Sequence, residues 1–103
     1  MKKCTFFSLV KVDKKATLKQ HDGYTDGVFC YYNIGGRGVT AWWHCIDPKT
    51  GYSLAAGATK AQAQERARER QAFFEEYQKT EKYRKMIESF ARLIQERESE
   101  AAS

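Results

Sequence analysis

The sequence predicts an α+β protein in which an antiparallel meander of three to four strands is followed by two C-terminal helices, or by one long kinked helix. Two observations carry that reading. All seven glycines, the single proline and every aspartate precede residue 61, whereas every glutamate follows it. Turn formers and short acidic side chains suit strands joined by tight loops, and a Gly- and Pro-free stretch rich in Ala, Glu, Gln and Arg suits helix. The 103 residues give length for one domain, read as 1–103 with a β half over 1–57 and a helical half over 58–103.

The first strand is Thr5–Val12, rich in Phe, Leu and Val and extending at most toward Leu18 after a bend. His21-Asp22-Gly23 and Thr25-Asp26-Gly27 read as two successive turns. Val28–Asn33 is the second strand, Ile34–Gly38 a hairpin loop and Val39–Asp47 the third strand. Asp47-Pro48-Lys49-Thr50-Gly51 is the sharpest turn signal: Asp leads, Pro presets φ at the next position, and Gly can take the left-handed conformation. Tyr52–Ala56 completes the sheet.

Thr59 with Gln62 three residues on forms a capping box, and no breaker follows to the C-terminus. Ala63, Ala67, Phe74 and Tyr77 make one apolar stripe and Tyr83, Met86, Ile87, Phe90, Leu93 and Ile94 a second, out of phase with the first. The phase slip predicts a break near Thr80, which can itself cap a new helix. The second stripe is stronger than a surface helix needs, so it reads as the seam of a homodimer, the alternative being a helix packed within the chain. Ala61, Ala63 and Ala67 are small enough to let the first helix approach the sheet closely.

With a hairpin turning about Gly35-Gly36, Phe29 lies near Trp43 and Tyr31 near Ala41, on a face continued by Cys45 and Leu54. Cys30, Tyr32, Trp42, His44 and Ile46 then point to the other side. Both faces are apolar or aromatic, so a helix, a second subunit or a ligand is needed to cover the second one.

Several functions are disfavoured. No apolar run approaches the roughly 20 residues that span a bilayer, which predicts no membrane association. Lys2 and Lys3 before Cys4–Val10 imitate a secretory signal, but no small-residue cleavage site follows and Lys11, Lys14 and Lys15 interrupt the run. Three cysteines, Cys4, Cys30 and Cys45, fit no disulfide framework and suit a cytoplasmic protein. His44 and Cys45 are strand neighbours that face apart, so neither a metal site nor a Cys–His nucleophile is expected, and no cofactor is implied. Gly35-Gly36-Arg37-Gly38 lacks the Lys-Ser/Thr pair of a phosphate loop, and Asp22–Gly27 is too short for a calcium loop.

Charge and aromatics supply the remaining signal. The whole formal surplus of five positive charges falls within residues 1–60, while residues 61–103 balance. Tyr32, Trp42 and His44 on one sheet face, Arg37 and Lys49 at hairpin tips, and Arg66 and Arg70 one turn apart on the first helix form a basic, aromatic constellation. Aromatic rings stack on bases and Arg or Lys neutralises phosphate. The expected function is therefore a small non-enzymatic binding module for nucleic acid or a nucleotide. The alternative is a small inhibitor or adaptor that binds and blocks another protein.

Overall fold

A computed structural model describes residues 1–35 and 41–102. Five strands precede three helices: β1 (Lys2–Val12), β2 (Lys15–Thr25), β3 (Cys30–Asn33), β4 (Trp43–Ile46), β5 (Ser53–Gly57), α1 (Lys60–Glu69), α2 (Gln71–Gln78) and α3 (Glu81–Ala102). The strands pair in chain order, all antiparallel. The α+β meander is as expected, with one more strand and one more helix than the sequence suggested.

The additional strand is β2. The chain reverses at Asp13 and Lys14, whose φ angles are both positive, 50° and 66°. Two successive residues of that kind match the twist of a two-residue hairpin, a job usually signalled by Asn-Gly. His21-Asp22-Gly23, expected to turn, lies inside β2 instead. Gly23 is there for space: a Cβ at that position would strike the Tyr31 carbonyl and the Phe6 ring. Thr25-Asp26-Gly27 does turn, with Asp26 Oδ1 accepting from the amides of Val28 and Phe29 at 2.9 and 2.8 Å.

Thr59 caps α1 by accepting from the Gln62 amide at 3.1 Å, and Gln62 Oε1 accepts from the Ala58 amide at 2.9 Å. The break near Thr80 is present, with Thr80 Oγ1 accepting from the Tyr83 amide at 3.2 Å. A second break at Arg70 has no sequence signal; it turns Phe74 edge-on to Phe29, with ring centroids 5.5 Å apart.

The two faces of the sheet carry separate clusters. Tyr31, Cys45 and Ala55 pack beneath Ala63 and Ala67 of α1, with Phe29, Trp43 and Leu54 at the margin. Phe6, Cys30 and Ile46 form the other cluster, joined by Cys4 and Tyr32. No helix is needed there, because the sheet covers itself. In a flat sheet β1 and β4 would lie about 14 Å apart, yet the Leu9 amide donates to the carbonyl of Gly51, just past β4, at 2.8 Å. The long β1–β2 hairpin therefore curls across the second face.

That contact belongs to a node built on the turn after β4. Asp47 and Thr50 are both buried. Asp47 Oδ2 accepts from Thr50 Oγ1 at 3.0 Å and from the Tyr83 hydroxyl at 2.7 Å, and Oδ1 accepts from the Lys49 amide at 3.1 Å. Gly51, at φ 75°, lies under the Phe90 ring. Tyr83 and Phe90, expected between subunits, are thus buried in the chain's own fold, while Met86, Ile87, Leu93 and Ile94 remain half-buried. Among the described residues no helix is long and apolar enough to cross a membrane.

A Cβ at Gly51 would sit 2.5 Å from Phe90 Cε1 and 3.0 Å from the Leu9 amide nitrogen, on a backbone unfavourable for any L side chain. Gly51→Ala should therefore cost about 2 kcal/mol or more of folding stability. Chemical denaturation of the two proteins measures it; equal midpoints would refute the tight packing of α3 on this turn.

Candidate functional site

A concavity lies where α2 and the start of α3 lean over β5 and the Asp47 turn. It encloses about 740 Å³ and is lined by Leu54, Phe73, Phe74, Tyr77, Tyr83 and Met86, with Tyr52, Arg70 and Lys82 also contributing. Phe74 and Tyr83 meet edge to face at 5.9 Å, and Tyr77 meets Tyr83 at 5.7 Å, so the floor is a fixed aromatic surface. The Tyr77 hydroxyl lies 2.8 Å from Met86 Sδ, bridging α2 to α3. Phe73 is different. It is 75% exposed, the most exposed large apolar side chain among the described residues, and its ring lies parallel to that of Tyr77 at 6.5 Å.

The groove's charged atoms are partly committed. Asp47 spends its carboxylate on the node described above, and burial pushes the Tyr83 hydroxyl up to about 12, so it stays a donor. Arg70 Nη1 donates to the Leu54 carbonyl at 2.7 Å and Arg66 Nη1 to the Ala56 carbonyl at 2.6 Å. Both carbonyls belong to β5, the last strand of the sheet, so these arginines cap an edge that would otherwise offer free backbone.

The residues singled out from sequence do not converge on one site. Tyr32 and His44 sit together on the curled face, whereas Trp42 shares a shallow depression of about 330 Å³ with Arg66 and Arg70. Lys49 lines a separate recess beside the α2–α3 junction. Arg37 lies outside the described residues. Phe73 and Tyr52, which shape the groove, were not among them. The adjacent pair Phe73-Phe74 held a signal, since neighbours on a helix point about 100° apart and both cannot be buried by one sheet.

On the curled face each strand contributes one residue to a polar row. Ser8 Oγ is hydrogen-bonded to His21 Nε2 at 2.7 Å, His21 stacks on Tyr32 at 3.8 Å, Tyr32 stacks on His44 at 5.6 Å, and His44 Nδ1 is hydrogen-bonded to Ser53 Oγ at 3.0 Å. Tyr32 is held between rings from β2 and β4, so neither of its faces is open to stack on a base. Burial, with repulsion from Lys19 and His44, lowers the His21 pKa, and burial lowers that of His44. The cysteine thiols of the core are held protonated, Cys30 at about 11 and Cys45 at about 12, by burial. Among the described residues no three His, Cys, Asp or Glu side chains gather as a metal site would require. Comparison with family models, curated proteins and solved structures returns no match.

The depressed histidine values have a consequence for stability. As pH falls, the unfolded chain protonates these rings before the folded one does. Stability is therefore complete above the ordinary histidine pKa of about 6.5 and is lost as pH falls through it toward the lower folded values. Thermal melts should show a lower Tm at about pH 5 than at about pH 7.5, and the double variant His21→Phe/His44→Phe should narrow that gap. An unchanged gap in the double variant would refute the assignment.

Proposed function

We propose that the protein works by binding rather than by catalysis, and that the groove between β5 and the α2–α3 pair takes an acidic, amphipathic segment of a partner protein. The chain would then act as a small inhibitor or adaptor through occupancy of that partner. The observation that carries this reading is Phe73, three-quarters exposed on the margin of an aromatic groove. An isolated side chain of this size in water gains by burial against another apolar surface, about 2 kcal/mol. Aromatic side chains, Phe among them, are enriched at protein interfaces relative to the rest of the surface. The exposed Lys82 lining the same groove, and the net charge of +5, favour a partner segment with Asp or Glu beside its apolar residues.

A nucleic acid or nucleotide is the second reading, favoured by Trp42, 42% exposed beside Arg66 and Arg70. The +5 charge also supports it. Against it, both arginines already donate to β5 carbonyls and the Tyr32 ring is covered on both sides.

Random peptides displayed on phage and selected on the intact protein separate the two. Selected sequences should combine aromatic or aliphatic residues with acidic ones and should bind Phe73→Ala about tenfold or more weakly, equivalent to about 1.4 kcal/mol. No enrichment, or binding indifferent to Phe73, would overturn the groove reading. Fluorescence polarisation with mixed single-stranded DNA and RNA supplies the other arm. Binding that weakens steeply from about 50 to about 200 mM salt and is lost in Trp42→Ala would replace it with the nucleic-acid reading.

A further inference from the structure

The two outer edges of the sheet are treated differently. On β5, Arg66 of α1 and Arg70 at its C-cap reach across to occupy the carbonyls of Ala56 and Leu54. On β1, the register with β2 runs without a bulge from Lys2 to Val12, and no proline interrupts it. Backbone groups in an antiparallel pair point alternately toward and away from the partner. The Leu9 amide points away from β2, since it donates to Gly51. By the same alternation Lys3, Thr5 and Phe7 also turn their N–H and C=O groups outward. Among the described residues these groups have no hydrogen-bond partner, and Lys3 and Thr5 are exposed.

We propose that β1 is the interface with a second copy of this chain, paired antiparallel to its counterpart about a twofold axis at Thr5. In that register Thr5 faces Thr5 of the second copy and the two exchange amide and carbonyl bonds. Lys3 and Phe7 of opposite copies do the same on either side. The side chains agree with the pairing. Lys3 falls opposite Phe7, where its aliphatic stem can lie along the ring with the ammonium in water. Cys4 falls opposite the apolar Phe6, and Lys2 opposite Ser8. A parallel, in-register pair would instead set Lys2 against Lys2 and Lys3 against Lys3, which like-charge repulsion disfavours. The lysines at one end of the strand thus leave the antiparallel twofold arrangement as the permitted one.

Closure supports a dimer over a fibre. Once two β1 strands have joined, the ten strands form one continuous sheet whose outer edges are both β5, and both are capped by arginine. This proposal is independent of what the groove binds, and it places the subunit contact on β1 and not on the α3 stripe.

Mass measurement in solution tests it together with hydrogen exchange. The wild-type chain should run at about twice 11.9 kDa at high concentration and move toward the single-chain mass on dilution. Thr5→Pro removes an outward amide while sparing the β1–β2 ladder, so it should stay monomeric with an unchanged far-UV circular dichroism spectrum. In the wild type, the Lys3, Thr5 and Phe7 amides should exchange slowly when concentrated and quickly when dilute. This measurement decides the matter should Thr5→Pro fail to fold. A single-chain mass at every concentration, a double mass that folded Thr5→Pro retains, or exchange at these amides indifferent to concentration would each overturn the proposal.

Discussion

The structure depends on a buried carboxylate. Asp47 opens the turn after β4, and its oxygens accept from the turn's own Thr50 and Lys49 and from Tyr83, 36 residues further on. A buried carboxylate left unpaired is among the more costly features a core can hold. Here two of the bonds that satisfy it close the turn itself, and the third joins that turn to α3. The Tyr83 bond fixes the start of α3, and that placement brings Phe90 onto Gly51. Gly51 in turn offers its carbonyl to Leu9, which draws the β1–β2 hairpin across the sheet. Three separate parts of the chain therefore meet at five residues of turn, and the groove is the space left between this anchored helix and the shorter α2.

What could be read in advance follows from which signals are local. The turn at Asp47–Gly51 and the caps at Thr59 and Thr80 are set by residues within three or four positions of one another, and the structure has all of them. The faces of β3 and β4 were also legible, though their register was not. The observed pairing of Tyr31 with Cys45 and Tyr32 with His44 is displaced by four residues from the hairpin centred on Gly35-Gly36. An even displacement leaves every side chain on its own face, because strand side chains alternate with period two. So Tyr31, Trp43 and Cys45 share one face and Cys30, Tyr32, His44 and Ile46 the other, as their parity required.

The misread parts depend on contacts distant in sequence. Asp-Lys is an unusual pair for two positive φ angles and carries none of the Asn-Gly signal that marks such a turn. His21-Asp22-Gly23 has turn composition but serves in a strand, where Gly23 makes room for Tyr31 and Phe6. The break at Arg70 likewise has no composition of its own. It is compatible with the two arginines bonded to β5 on one side and Phe74 packed on Phe29 on the other.

The same distinction separates the two binding readings. The positive surplus was correctly placed in the first sixty residues, but charge is a sum and carries no position. In the fold, exposed Lys2 and Lys3 lie at one end of the hairpin and exposed Lys14 and Lys15 at the other, which leaves Lys19 as the β2 lysine that acts on His21 of the ring stack. Of the aromatic residues that pointed to base stacking, Tyr32 and His44 instead help the curled sheet fill its own concave side. Apart from Trp42 and Tyr52, the exposed aromatic surface lies in the half of the chain that carries no net charge, at Phe73 on the margin of the groove. On the proposed reading such a groove gains affinity from apolar burial and uses the flanking Lys82 for orientation, which is why its partner is sought among amphipathic protein segments before polyanions.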